Sequence, residues 1–140
     1  MIVDACGTPL QVWCTPANRP DASAACEGLL DLSVLDDATG VLGEGPKVLF
    51  GDRGYGFPWL TEAVREAGWL PMLSPRGQGP RDAASSRVRY VVERTLAWFG
   101  SFRRLKFCYE RWGVHFQGFH DLASVAINFK RLQKIAERRL

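Results

Sequence analysis

The sequence contains no Cys-x-x-Cys pair. Its four cysteines, Cys6, Cys14, Cys26 and Cys108, stand apart, and neither His115 nor His120 lies at zinc-finger spacing from any of them. That pattern argues against structural zinc and points to free, packed thiols. No apolar run approaches the ~18 residues that a membrane helix needs. The start, Met1-Ile2-Val3-Asp4-Ala5-Cys6-Gly7, lacks the basic segment and apolar stretch of a secretory leader. A cytoplasmic protein with no membrane partner is therefore expected. There is also no Gly-x-x-x-x-Gly-Lys-Ser/Thr phosphate loop and no serine in a nucleophile elbow. Gly51 and Gly54 do not complete a dinucleotide fingerprint.

What is present is ordinary in amount and uneven in placement. The 140 residues are 46% hydrophobic and 24% charged, which suits a single soluble domain with its own core. Residues 1–75 hold 4 basic and 10 acidic side chains, net −6, whereas residues 76–140 hold 14 and 5, net +9. Arginine far outnumbers lysine. An acidic half followed by a basic half suggests a polyanion as partner for the second half, set against an ordinary solvated basic face.

The periodicities predict an α/β fold. Ile2-Val3 and Leu10-Gln11-Val12-Trp13, flanking Cys6-Gly7-Thr8-Pro9, read as a hairpin. Residues 16–20 form a loop, and Asp21 caps a short helix over Ala22–Leu30. Residues 36–46 are a glycine-rich connector. Lys47-Val48-Leu49-Phe50 reads as a strand covered on both faces, ending at Gly51-Asp52. Pro58 opens a helix carrying Leu60, Ala63, Val64 and Ala67 inward, stopped by Gly68. Residues 69–73 form a strand that Pro71 restricts to an edge, and residues 74–86 a mobile basic loop. From Arg87, a stripe of Val88, Val91, Val92, Thr95, Leu96 and Phe99 gives the strongest helical signal in the chain, closed by Gly100. A last helix from Val114 is expected to bury Phe119, Leu122, Ala123, Ala126, Phe129 and Leu132, before a polar tail from Lys134.

Three features could carry chemistry. Asp52 stands at the carboxyl end of a strand, where open α/β sheets place ligands, though it could equally cap the following loop. Glu93 lies beside the valine stripe, with Arg89 four residues earlier and Arg94 adjacent, a spacing that also makes an ordinary helix ion pair. One acid from a strand end and one from a later helix is a pattern that binds hard divalent cations through oxygen. Two such ions can clamp an in-line phosphoryl displacement. The third feature is Phe102–Trp112, which interleaves Arg103, Arg104, Lys106 and Arg111 with aromatics. The cations suit phosphates. Phe102, Leu105 and Phe107 read as core. His115 and His120 read as packed or surface residues and not as ligands.

Gly51-Asp52-Arg53-Gly54-Tyr55, then residues 89–98 (Arg-Tyr-Val-Val-Glu-Arg-Thr-Leu-Ala-Trp), then Phe102-Arg103-Arg104-Leu105 and Tyr109-Glu110-Arg111 resemble bacterial insertion-sequence transposases of the DDE class. Residues 3–10 and 15–21 resemble that family's hairpin and loop, so the similarity runs in order through nearly the whole chain. The resemblance implies a ribonuclease-H-like mixed sheet flanked by helices, on which three carboxylates hold two magnesium (or manganese) ions that cut DNA and join element ends to a target. Asp52 would be the second acid, Glu93 the third, and Arg89 the arginine of the C-terminal signature. Arg53, Arg89, Arg94, Arg103, Arg104, Lys106 and Arg111 would contact DNA. Ser86 and Gly100 stand where the signature often has tyrosine and lysine, a departure that bears on DNA positioning. The family's first acid lies upstream of the hairpin, and Asp4 sits at the hairpin turn instead. Residues 1–140 are thus expected to be one partial catalytic domain, lacking the first strand and the N-terminal DNA-binding region. Such a domain would be inactive alone, with the product of an upstream reading frame, or a second copy, as possible partner. The alternatives are a non-catalytic DNA-binding regulator or remnant, and a plain interaction module.

Overall fold

A computed structural model describes residues 1–75 and 83–138. The chain divides into two compact units, Met1–Cys14 with Tyr90–Leu140, and Thr15–Arg89. Its class is mixed α/β.

In the first unit, β1 (Ile2–Val3) and β2 (Pro9–Gln11) form the expected antiparallel hairpin, with Ile2 opposite Gln11 and Val3 opposite Pro9. Asp4 builds its turn. Its Oδ1 accepts from the Cys6 N–H at 2.9 Å and the Thr8 N–H at 2.7 Å, an Asx turn that leaves Gly7 at φ +83°. Strands this short do not hold themselves together in water, and side chains from two helices anchor them. From α3 (Ala83–Phe99), the Thr95 hydroxyl donates to the Gly7 carbonyl at 2.8 Å and Arg94 donates to the Cys6 carbonyl at 2.7 Å. From α5 (Gly113–Glu137), Gln117 accepts from the Cys14 N–H and donates to the Val12 carbonyl, while Asn128 donates to the Pro9 carbonyl. A Cβ on Gly7 would come within 2.8 Å of the Thr95 oxygen, so only glycine fits there. The core of this unit is Phe99, Ala123 and Ile127, with Met1, Val12, Trp98, Phe102 and Leu105 packed around it. A one-turn helix, α4 (Arg103–Lys106), bridges to α5.

In the second unit, α1 (Asp21–Thr39) runs nine residues past the end that its sequence suggested, and Asp21 lies inside it while Pro20 holds the extended cap position. An aspartate in the first turn still suits the helix dipole. Residues 36–39, expected in the connector, are helical because Asp36 is buried and bonded. Its carboxylate takes the Lys47 ammonium and the Leu42 N–H, and those bonds hold its pKa below the usual carboxylate range. Gly40 then ends α1 in the left-handed region. β3 (Val48–Gly51), α2 (Pro58–Glu66) and β4 (Leu70–Leu73) make a parallel βαβ unit, with Phe50 opposite Met72 and Leu49 opposite Pro71. The end of α2 is a Schellman motif. Gly68 at φ +78° bonds to the Arg65 carbonyl, and the Trp69 N–H reaches the Val64 carbonyl. The buried side chains of this unit include Leu29, Leu32, Leu60, Val64 and Trp69, whose indole donates to Ser33.

Several expectations need correction. β3 is not covered on both faces. Burial alternates along both strands, leaving Val48, Phe50, Leu70 and Met72 exposed, because a two-stranded sheet receives cover on one side only. α3 begins at Ala83, ahead of Arg87, and the rest of the expected loop, 76–82, lies outside the described residues. On α5, Ala123 is buried, but Leu122, Phe129 and Leu132 are 60–66% exposed; the inward position is taken by Ile127. The helix also runs on through Lys134 to Glu137. Phe119 and Ala126 are half-buried, so the expected stripe is inward at three of its six positions and open at the other three. Leu96, expected on the buried stripe of α3, is half exposed.

Candidate functional site

Asp52 follows β3 directly. Gly51 before it is closely packed: a Cβ would sit 2.7 Å from Leu73 Cδ2 and 3.2 Å from Tyr55 Cβ, so Leu73 would have to shift. The backbone then tightens into a 3-10 turn over Arg53–Tyr55, and Asp52 caps that turn, its Oδ1 accepting from the Gly54 N–H at 2.9 Å. The capping alternative is therefore real. It does not bury the residue, which stays exposed at the carboxyl end of a parallel strand. Tyr55, half-buried behind the turn, has its phenol pKa pushed up, first by burial and then by the carboxylates of Asp21 and Asp52.

Glu93 belongs to the other unit, exposed on α3 beside Arg94 and two residues before the buried Thr95. The cations read from the sequence differ in their commitments. Arg94 is held by the Cys6 carbonyl and lies over the rings of Tyr90 and Trp98, at 5.7 and 5.2 Å. Arg104 pairs with Glu110 at 2.8 Å and covers Phe119. Lys106 lies over Phe107. Arg89, Arg103 and Arg111 are exposed, and Arg53 is half-buried. Phe102 and Leu105 pack on the core as expected, whereas Phe107, the extended residue that caps the end of the short α4, is 52% exposed. Ser86 is exposed near the start of α3, and Gly100 closes it.

A family model described as the transposase DDE domain matches residues 1–127. The chain belongs to the DDE transposase family. It is 32% identical over 111 residues to a putative transposase for insertion sequence element IS402 from Burkholderia cepacia, an alignment covering 79% of this chain and 52% of that relative. The chain thus spans about half the length of the curated relative it matches. No solved structure matches it.

Asp and Glu are the right donors for the divalent ions that DDE transposases use. Among the described residues, no three His, Cys, Asp or Glu side chains gather as a metal site. Asp4, an acid ahead of Asp52 in the hairpin region, is spent on its own turn. The histidines behave as packing and surface residues. His120 meets Phe116 edge-on at 4.7 Å and stacks with Phe99, and its Nδ1 lies 3.0 Å from the Phe116 carbonyl and 3.3 Å from Cys14 Sγ. A carbonyl only accepts, so Nδ1 carries the proton. Burial, Asp121 and Cys108 raise the Cys14 pKa, which opposes a thiolate nucleophile. His115 is exposed. Among the described residues no helix is long and apolar enough to cross a membrane.

Sequence reasoning missed one basic group. Lys130, Lys134 and Arg138, with Arg131, line a cavity of about 430 Å³ beside Trp98 and Phe102. Their one-per-turn spacing was visible in the sequence but was absorbed into an expected core helix and polar tail.

Proposed function

We propose that this chain contributes two of three acids to a transposition centre, Asp52 as second and Glu93 as third, on a ribonuclease-H-like scaffold. The observation that carries the reading is an exposed aspartate on a tight turn at the carboxyl end of a parallel strand, inside a family match that also spans Glu93. The two carboxylates would hold magnesium or manganese, which supplies charge stabilisation for phosphodiester cleavage and strand transfer. A third oxygen ligand has to come from elsewhere, so the chain alone would be inactive. A segment corresponding to the unmatched half of the relative is the natural donor. Arg53, Arg89, Arg94, Arg103, Arg104, Lys106 and Arg111 would neutralise and orient the DNA backbone.

The test is nicking of element-end DNA in Mg²⁺ or Mn²⁺, with and without a co-expressed upstream segment. Cutting is expected only with that segment. Asp52→Asn or Glu93→Gln should lower it by roughly two orders of magnitude or more, since metal-held charge stabilisation is worth several kcal/mol. Cutting that survives both substitutions would remove the assignment.

A second reading, a DNA-binding regulator without catalysis, draws on the net +9 of residues 76–140. It predicts salt-steep DNA binding that persists in Asp52→Ala and Glu93→Ala and weakens in Arg103→Ala.

A further inference from the structure

We propose that the groove between the end of α3 and the last turns of α5 is a binding site for an unpaired strand of DNA, separate from the two acids. The inference rests on the reading that the chain acts on DNA. Lys130 and Lys134 of α5 and Arg138 at its C-cap recur every fourth residue, which puts one cation per turn, about 6 Å apart, along one edge of the groove. Among the described residues none of the three, nor Arg131, has a carboxylate within ion-pair distance. The floor is of a different kind. Trp98 and Phe102 are half-buried at the groove, and two isoleucines complete its apolar part. Arg131 lies 5.4 Å from the Trp98 ring centre and Arg94 lies 5.2 Å from it, so two guanidinium groups neighbour the indole.

This combination narrows the ligand. Cations near a helix C-terminus can serve the helix dipole alone. That account covers Lys134 and Arg138 but leaves Lys130, more than a turn earlier, and the aromatic floor unexplained. A duplex presents phosphates and keeps its base faces stacked inside, so it would use the cations and leave the floor idle. A free inorganic anion would do the same. A single strand has both parts, a row of phosphates for the lysine edge and exposed base faces for Trp98 and Phe102. A cavity of about 430 Å³ is in the size range of sites that enclose a small ligand, room enough for a nucleotide unit and not for a duplex.

The experiment is fluorescence anisotropy of a labelled oligothymidine strand, and of a duplex of equal length, against the 140-residue chain in EDTA over a salt series. The groove variants should lose single-strand affinity and keep most of their duplex affinity, which the arginines outside the groove supply. Lys130→Gln/Lys134→Gln/Arg138→Gln should lower the single-strand salt slope by about 2, near 0.7 for each lost phosphate contact. Trp98→Leu should weaken single-strand binding roughly fivefold or more with the slope unchanged, and Trp98→Tyr should restore most of it. The charge variants alter exposed positions, and an unchanged helical circular dichroism spectrum checks their fold. Variants that bind the strand like wild type overturn the groove, and so do variants that lose duplex binding as much as single-strand binding. Chelated metal and the Asp52→Asn background separate this test from the nicking test. If nicking never appears while these variant effects hold, the groove stands and the two-acid reading falls. If nicking depends on the acids and the groove variants bind like wild type, the reverse follows.

Discussion

The two units secure their small sheets by opposite means. The hairpin of the first unit is two and three residues long and is held by polar anchors: the Asp4 turn, the Thr95 and Arg94 bonds to Gly7 and Cys6, the Asn128 amide on its second strand and the Gln117 amide on the residues just after it. The parallel pair of the second unit has a full four-residue ladder and rests on apolar burial, with Leu60 and Val64 of α2 fully enclosed. Its far face still shows Val48, Phe50, Leu70 and Met72 to solvent. A polar anchor fixes where a segment sits with little buried area, because each bond has a direction. Apolar packing supplies more energy but specifies only the face that it covers.

That contrast can be broken first where burial carries the energy. Leu60→Ala should destabilise the second unit by about 2–5 kcal/mol, as for large-to-small changes in a core. Urea unfolding should register the loss, and probes in the two units should report it unequally. Thr95→Val should cost the first unit about 1–3 kcal/mol, by stranding the Gly7 carbonyl in a buried place, with Thr95→Ser close to wild type. If Thr95→Val is harmless, the hairpin is held by packing after all and the contrast fails.

The pH dependence sharpens the comparison further. Asp36 is more acidic folded than unfolded, so its contribution is present above the usual carboxylate pKa of about 3.9 and is lost as pH falls through the folded value. Asp36→Asn should flatten that acid limb in the second unit. Tyr55 behaves oppositely. Its folded pKa is raised, so the neutral phenol is favoured, and stability is full below the usual value of about 10 and declines as pH rises through the folded one. Tyr55→Phe should remove this alkaline decline. Smallest of all, Phe50→Gln and Met72→Gln should each stay within about 0.5 kcal/mol, since those side chains are about half exposed. A larger loss would mean that the open face is covered in solution.

Much of this was legible in residue order. The hairpin followed from apolar pairs around Gly7, α2 from Pro58 and Gly68 as start and stop, and α3 from the valine stripe. The two acids proposed for the centre were picked out by the strand-turn motif at Asp52 and the block around Glu93. Other features were not. The extension of α1 depends on Asp36 meeting Lys47, an ion pair between residues that look like parts of a polar connector. The inward face of α5 could be read only in part because apolar residues lie on both sides, and Ile127 competes with Leu122 and Phe129 on equal terms of period.

By itself the sequence determined the order and kind of the elements, the family, and the two acids and arginines worth testing, because each of these depends on local period, turn chemistry or a contiguous motif. Tertiary structure alone decided that Asp4 organises a turn, that Arg94 clamps the hairpin, and that Lys130, Lys134 and Arg138 share a groove with Trp98. Those roles are created by neighbours distant along the chain, and no local pattern encodes which neighbour packing will bring.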